Sequence, residues 1–97
     1  MVKYSIWAQI NAKPGKEQEL ENFLKSAQPL AEQEASTVTW YALKMGPGSF
    51  GIFDTFNDEA GRDAHLNGEI AKALMAKSNE YFSQAPAIHK ITLVAKK

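Results

Sequence analysis

Residues 4 to 12 alternate strictly. Tyr4, Ile6, Ala8, Ile10 and Ala12 fall on one side of an extended chain, and Ser5, Trp7, Gln9 and Asn11 on the other. This two-residue period defines a β-strand. Lys13-Pro14-Gly15 is a turn signal, and beyond it the period changes. Leu20, Phe23, Leu24, Ala27, Leu30, Ala31 and Glu34 recur at steps of three and four. They form the stripe of a helix laid against a core, apolar except at Glu34. Glu17, Glu19 and Glu21 occupy its early turns, where the helix dipole favours negative charge. Pro29 has no N–H to donate, so it is expected to kink this helix or begin a new turn.

The same switch of period recurs along the chain. Thr37 to Met45 is rich in β-branched and aromatic residues and predicts a second strand. Gly46-Pro47-Gly48 makes a turn, and Phe50 to Phe56 predicts a third strand, paired with the second as a hairpin. Asn57 is the expected cap of a short helix running to about Leu66 and ended by Asn67-Gly68. A longer helix is expected from Glu69 to Ala85-Pro86, with Ile70, Ala71, Leu74, Met75, Tyr81 and Phe82 as its stripe. Ile88 to Ala95 predicts the closing strand. The order β-α-β-β-α-α-β describes an α+β, ferredoxin-like split βαβ with a four-stranded antiparallel sheet. Residues 1–97 read as one domain, with no linker or repeat. Helices then cover one sheet face only. Trp7 lies on the other, and a second copy packed sheet against sheet would cover it.

Composition narrows the function. There are no cysteines, so disulfides, thiolate metal sites and cysteine nucleophiles are excluded. Eleven basic and 11 acidic residues cancel, leaving no electrostatic footprint for nucleic acid or an anionic membrane. No apolar run approaches the ~20 residues that span a bilayer, and the N-terminus does not read as a signal peptide. A cytoplasmic protein is expected. His65 and His89 fall on different elements without metal-ligand spacing, so no metal is expected. Gly46-Pro47-Gly48 lies in a hairpin and not before a helix, so it is no phosphate cradle.

His65 is the candidate for chemistry. Ala60, Gly61, Ala64 and Gly68 cluster on one side of its short helix, permitting close backbone approach or room for a ligand, and His65 borders that side. Its unperturbed pKa of about 6.5 suits an acid, a base or a hydrogen-bond donor; the plainer role is a half-buried packing residue. His89 is expected at an edge or a dimer surface. Phe23, Tyr81, Phe82 and either Trp40 or Tyr41 are candidate walls for a planar ligand, and each also suits a core. Tyr4 shares a side with Ile6 and Ala8; if that side meets the helices, its hydroxyl needs a partner, which a ligand could supply.

Trp40-Tyr41-Ala42-Leu43, Gly51-Ile52-Phe53-Asp54-Thr55-Phe56, Asp58-Glu59-Ala60 and Ala64-His65-Leu66, with Ala12-Lys13-Pro14-Gly15-Lys16 ahead of an acidic helix, together resemble the antibiotic biosynthesis monooxygenase domain family. The likeness spans almost the whole chain. It implies a dimeric α/β barrel, a homodimer through the sheet face, and a pocket between sheet and helices in each protomer. It also implies oxidation of a small aromatic phenol, anthrone or quinol by O2 with neither metal nor flavin. In that reading His65, matching the histidine of the family's Ala-His-Leu segment, removes the substrate proton, and the electron-rich anion reacts with O2. Haem-degrading relatives would need an axial histidine and an asparagine near Met75 and Ala8, so haem degradation is disfavoured. The alternative is a non-catalytic small-ligand-binding or stress-response dimer.

Overall fold

Strand β1, Tyr4–Asn11, is the centre on which the other strands assemble. It pairs antiparallel on one side with β3, Ser49–Phe56, and on the other with β4, Ala87–Thr92. β2, Thr37–Gly46, joins β3 through the Pro47-Gly48 turn, giving the sheet order β2-β3-β1-β4. Helix α1, Glu17–Glu32, links β1 to β2; α2, Glu59–Leu66, and α3, Glu69–Tyr81, link β3 to β4. The computed structural model describes residues 2–97. Its α+β, ferredoxin-like topology agrees with the element order expected from the periodicities.

Register explains the core. Ile6, Ala8 and Ile10 of β1 stand opposite Asp54, Ile52 and Phe50 of β3, and all face the helices. Phe50, Ile52 and Phe56 join Leu20 and Leu24 of α1 and Phe82 in the buried interior. Each such side chain, fully buried, contributes about 1.5–3 kcal/mol. Asp54 stands in this row between Ile52 and Phe56 and is 0% exposed, a carboxylate where the strand pattern calls for an apolar side chain.

Several local expectations are corrected. α1 continues through Pro29 without beginning a new turn, and Pro29 is exposed three residues before the helix end. The N-cap of α2 is Asp58, not Asn57: its side chain accepts from the Gly61 N–H at 2.7 Å. α3 stops at Tyr81, short of Ala85-Pro86. Phe82 turns extended, bridges to Ala12 and drops into the core, and the Ser83 N–H donates to the Asn11 carbonyl. β4 spans Ala87–Thr92 and not Ile88–Ala95, because its partner β1 begins at Tyr4, opposite Thr92. Among the described residues no helix is long and apolar enough to cross a membrane.

The face away from the helices carries Trp7, flanked by His89 of β4 and Phe53 of β3, with Tyr41 of β2 beyond. The Trp7 ring lies on Gly51, where an added Cβ would come within 2.4 Å of it. Alanine usually improves on glycine inside a strand by about 0.5–1 kcal/mol. Here it would displace an indole, so Gly51→Ala is expected to destabilise the fold by about 1–3 kcal/mol in denaturant unfolding.

Candidate active site

The buried Asp54 is answered by α2. Asp58 caps this helix, and Gly61 lets it approach the α1–β2 turn closely, since a Cβ there would lie 3.0 Å from the Ser36 Cβ. Four residues on, the His65 ring enters between β3 and that turn. Its Nδ1 lies 2.6 Å from Glu34 Oε1, and its Nε2 lies 2.8 Å from Asp54 Oδ2. Glu34 Oε1 also accepts the Thr37 hydroxyl at 2.8 Å. Phe56 packs on the imidazole, ring centroids 5.2 Å apart. The Asp54 contact is short but poorly directed for a hydrogen bond, so neither Asp54 oxygen has a well-aligned donor.

With Nδ1–H donating to Glu34, the Nε2–Asp54 pair holds one proton, as imidazolium and carboxylate or as neutral imidazole and carboxylic acid, and loses it as pH rises. Burial acts to lower the His65 pKa, but Asp54 and Glu34 together outweigh it and hold the group above its usual 6.5. Burial raises the Asp54 carboxyl above its ordinary range, more than His65 lowers it. The imidazole stands between the two carboxylates, so the three do not converge on one point as metal ligands would.

Two spaces meet at this triad. On one side is a cavity of about 110 Å³ between the sheet and helices α2 and α3. Its walls are aliphatic, built largely from Ile6, Ala8, Ile52, Ile70 and Leu74, with Met75 and Ile88 partly exposed beside Pro86; Asp54 is its one carboxylate. On the other side is an open surface cleft of about 340 Å³ lined by Glu34, Thr37, Gly61 and Glu69. His65 borders both.

The aromatic candidates lie elsewhere. Phe23 and Tyr81 pack on each other at 6.4 Å on the far side of the core, and Phe82 is buried beside Ile10 and Leu20. Trp40 faces the helices but leans on Ala27, Ala31 and Leu74 beside an outer groove. Tyr4 lies under the Arg62 guanidinium, 5.2 Å from it. Tyr41 is 53% exposed on the opposite sheet face, as its register with Phe53 requires. None of the six lines the cavity beside His65, whose walls are aliphatic instead of aromatic. His65 borders both spaces, with both ring nitrogens facing carboxylates. Asp54 and Glu34 were the residues sequence reasoning passed over. Each had a signal: Asp54 interrupts the inward row Phe50, Ile52, Phe56, and Glu34 ends the apolar stripe of α1.

The fold and site together define a ferredoxin-like α+β protein with a buried carboxylate–imidazole–carboxylate array beside an apolar cavity. No protein-family model matches the chain, and no curated protein does. Among solved structures, the NE2512 protein of unknown function from Nitrosomonas europaea is 52% identical, with a TM-score of 0.97 over 100% of this chain and 94% of that one. This chain belongs to the same family as that protein. More distant structures share the fold. PA3566 from Pseudomonas aeruginosa is 20% identical, with a TM-score of 0.82 over 98% of this chain and 97% of that one. A protein described as an antibiotic biosynthesis monooxygenase is 19% identical, with a TM-score of 0.80 over 95% of this chain and 99% of that one.

Both upward shifts mean that the folded site binds protons more tightly than the unfolded chain. The His65 contribution is complete below pH 6.5 and is lost as pH rises through the folded-state value; Asp54 acts in the same direction from 3.8 upward. Unfolding free energy is therefore expected to fall as pH rises above about 6.5, and His65→Gln to flatten that part of the profile, as read from denaturant midpoints across pH.

Proposed function

We propose that this protein is a cofactor-independent oxygenase whose substrate is a small, electron-rich phenol or quinol of one ring. The observation that carries the reading is Asp54, a carboxylate 0% exposed, lacking a well-aligned donor and facing an otherwise aliphatic cavity. A buried acceptor of this kind is satisfied by a ligand O–H, and it takes that proton more readily in the absence of water. The fold shared with a protein described as an antibiotic biosynthesis monooxygenase supports the same class. The volume disfavours a fused anthrone: a cavity of about 150 Å³ holds benzene, this one is about 110 Å³, and a single ring fits by extending through the open edge beside Met75 and Ile88.

Asp54 removes the phenolic proton, and His65, held by Glu34, sets the charge of Asp54. The phenolate passes one electron to O2, and the resulting radical pair combines at a ring carbon. Loss of water completes the reaction. One hydroquinone and one O2 give one hydroxyquinone and one water, so one oxygen atom enters the ring and the other leaves with two substrate hydrogens. The aliphatic walls hold the ring and keep water from the anion.

Metal-stripped protein is expected to consume O2 saturably with single-ring hydroquinones, above autoxidation and faster than with anthrones. Asp54→Asn is expected to lower kcat/KM by about 10². No uptake across the series, or uptake unchanged in Asp54→Asn, would overturn the reading; saturable binding without uptake would make the protein a ligand-binding module.

We also propose that a second copy covers the open sheet face. Trp7, Phe53, Tyr41 and Leu43 share that face, and the last two are 53% and 40% exposed. Contiguous exposed apolar surface marks an interaction site, and a two-fold pair is its commonest form. Light scattering is expected to give twice the chain mass, falling to the monomer in a Tyr41→Lys, Leu43→Lys variant.

A further inference from the structure

We propose that Glu34 is the outer end of a proton path that joins the buried cavity to solvent through His65, with the surface cleft as its exit. The proposal rests on the functional reading above only for the identity of the proton donor. Its geometry stands separately. Asp54, His65 and Glu34 form one line of contacts, 2.8 Å and then 2.6 Å, and their side chains are 1%, 8% and 21% exposed. The line begins at the wall of the apolar cavity and ends in the open cleft of about 340 Å³. The imidazole is the one group that touches both spaces, with one nitrogen turned towards each carboxylate.

A proton taken from a ligand by Asp54 leaves the array holding one more than at rest, and the aliphatic walls of the cavity offer it no acceptor. The arrangement supplies an outlet on the side away from the cavity. The ligand O–H bond breaks and its proton goes to Asp54 Oδ1. The His65 imidazolium releases its Nδ1 proton to Glu34, which loses it to water in the cleft; the Nε2 proton stays facing Asp54. One proton has then reached solvent, and the phenolate stands beside a neutral carboxyl and a neutral imidazole instead of a charged carboxylate. The groups around the path are few. Asp54 comes from β3, Glu34 and the Thr37 hydroxyl from the α1–β2 turn, and the uncharged Phe56 ring packs on the imidazole. Glu69 of α3 stands across the cleft.

Glu34→Gln separates this role from a structural one. The amide oxygen still accepts from Nδ1–H and from Thr37, but it cannot carry a proton away. The probe is 4-nitrophenol, mixed anaerobically with protein while phenolate absorbance is followed, so that no oxidation enters the readout. Wild type is expected to form bound phenolate rapidly, at a rate independent of buffer concentration. Glu34→Gln is expected to stay folded at the assay temperature and to bind the probe, to form phenolate at least about tenfold more slowly, and to recover when imidazole is added as a small carrier. An unchanged rate in Glu34→Gln, or a loss that imidazole does not restore in the folded variant, would overturn the path. Rapid, Glu34-dependent phenolate formation in a protein that never consumes O2 would keep the path and remove the oxygenase. Absence of any binding by the probe would overturn both.

Discussion

A carboxylate in the core row of a central strand is costly unless something shares its charge, and the arrangement around Asp54 is organised by that constraint. With Ile52 before it and Phe56 after it, Asp54 cannot reach solvent. An unpaired buried charge would cost several kcal/mol. The answer comes from α2, the helix that directly follows β3, which must dock closely enough for His65 to reach both β3 and the α1–β2 turn. Gly61 against Ser36 permits that docking, and the Asp58 cap starts the helix at the right place. The imidazole thus ties together β3, α2 and the α1–β2 turn.

The division of the interior follows from the same point. On the α1 side the core is filled, with Phe50, Phe82, Leu20 and Leu24 packed without a gap at the site. On the α3 side only Ile70 is fully buried, and a cavity remains between that helix and the sheet. The polar array stands at the boundary between filled core, cavity and cleft. A fully packed neighbour would have left Asp54 a purely structural ion-pair partner. The adjoining space is what the proposed chemistry rests on, because there a ligand would supply the donor that the protein does not.

Charge in this site is best regarded as belonging to the three groups together. The His65 imidazolium is favoured by two carboxylates, whereas Asp54 is disfavoured as an anion by its burial. Both tendencies favour a proton in the array. Under the proposed function, such a site would exchange a proton with a bound phenol while its own net charge changes little, lowering the cost of making an anion in an aliphatic cavity.

Much of the fold was legible in the sequence, because strand and helix periods are local properties and turn residues punctuate them. The alternation from Tyr4 placed Ile6, Ala8 and Ile10 together, the hairpin at Pro47-Gly48 followed from its glycines, and His65 stood out as the one histidine amid small helical residues. The misses arise where geometry or distant contacts decide. Asn57 and Asp58 are equally good caps, and only hydrogen-bond geometry chooses between them; the end of α3 is set by the bridge from Phe82 to Ala12, a contact distant in sequence. None of the six aromatic candidates lines the cavity beside His65, because aromaticity does not say which side of a core a residue fills. By itself the sequence determined the elements, their order and which residues of each strand share a face. Only the tertiary structure decided that Glu34, Asp54 and His65 meet, because that depends on strand register and on how closely one short helix docks, and neither is encoded within any single segment.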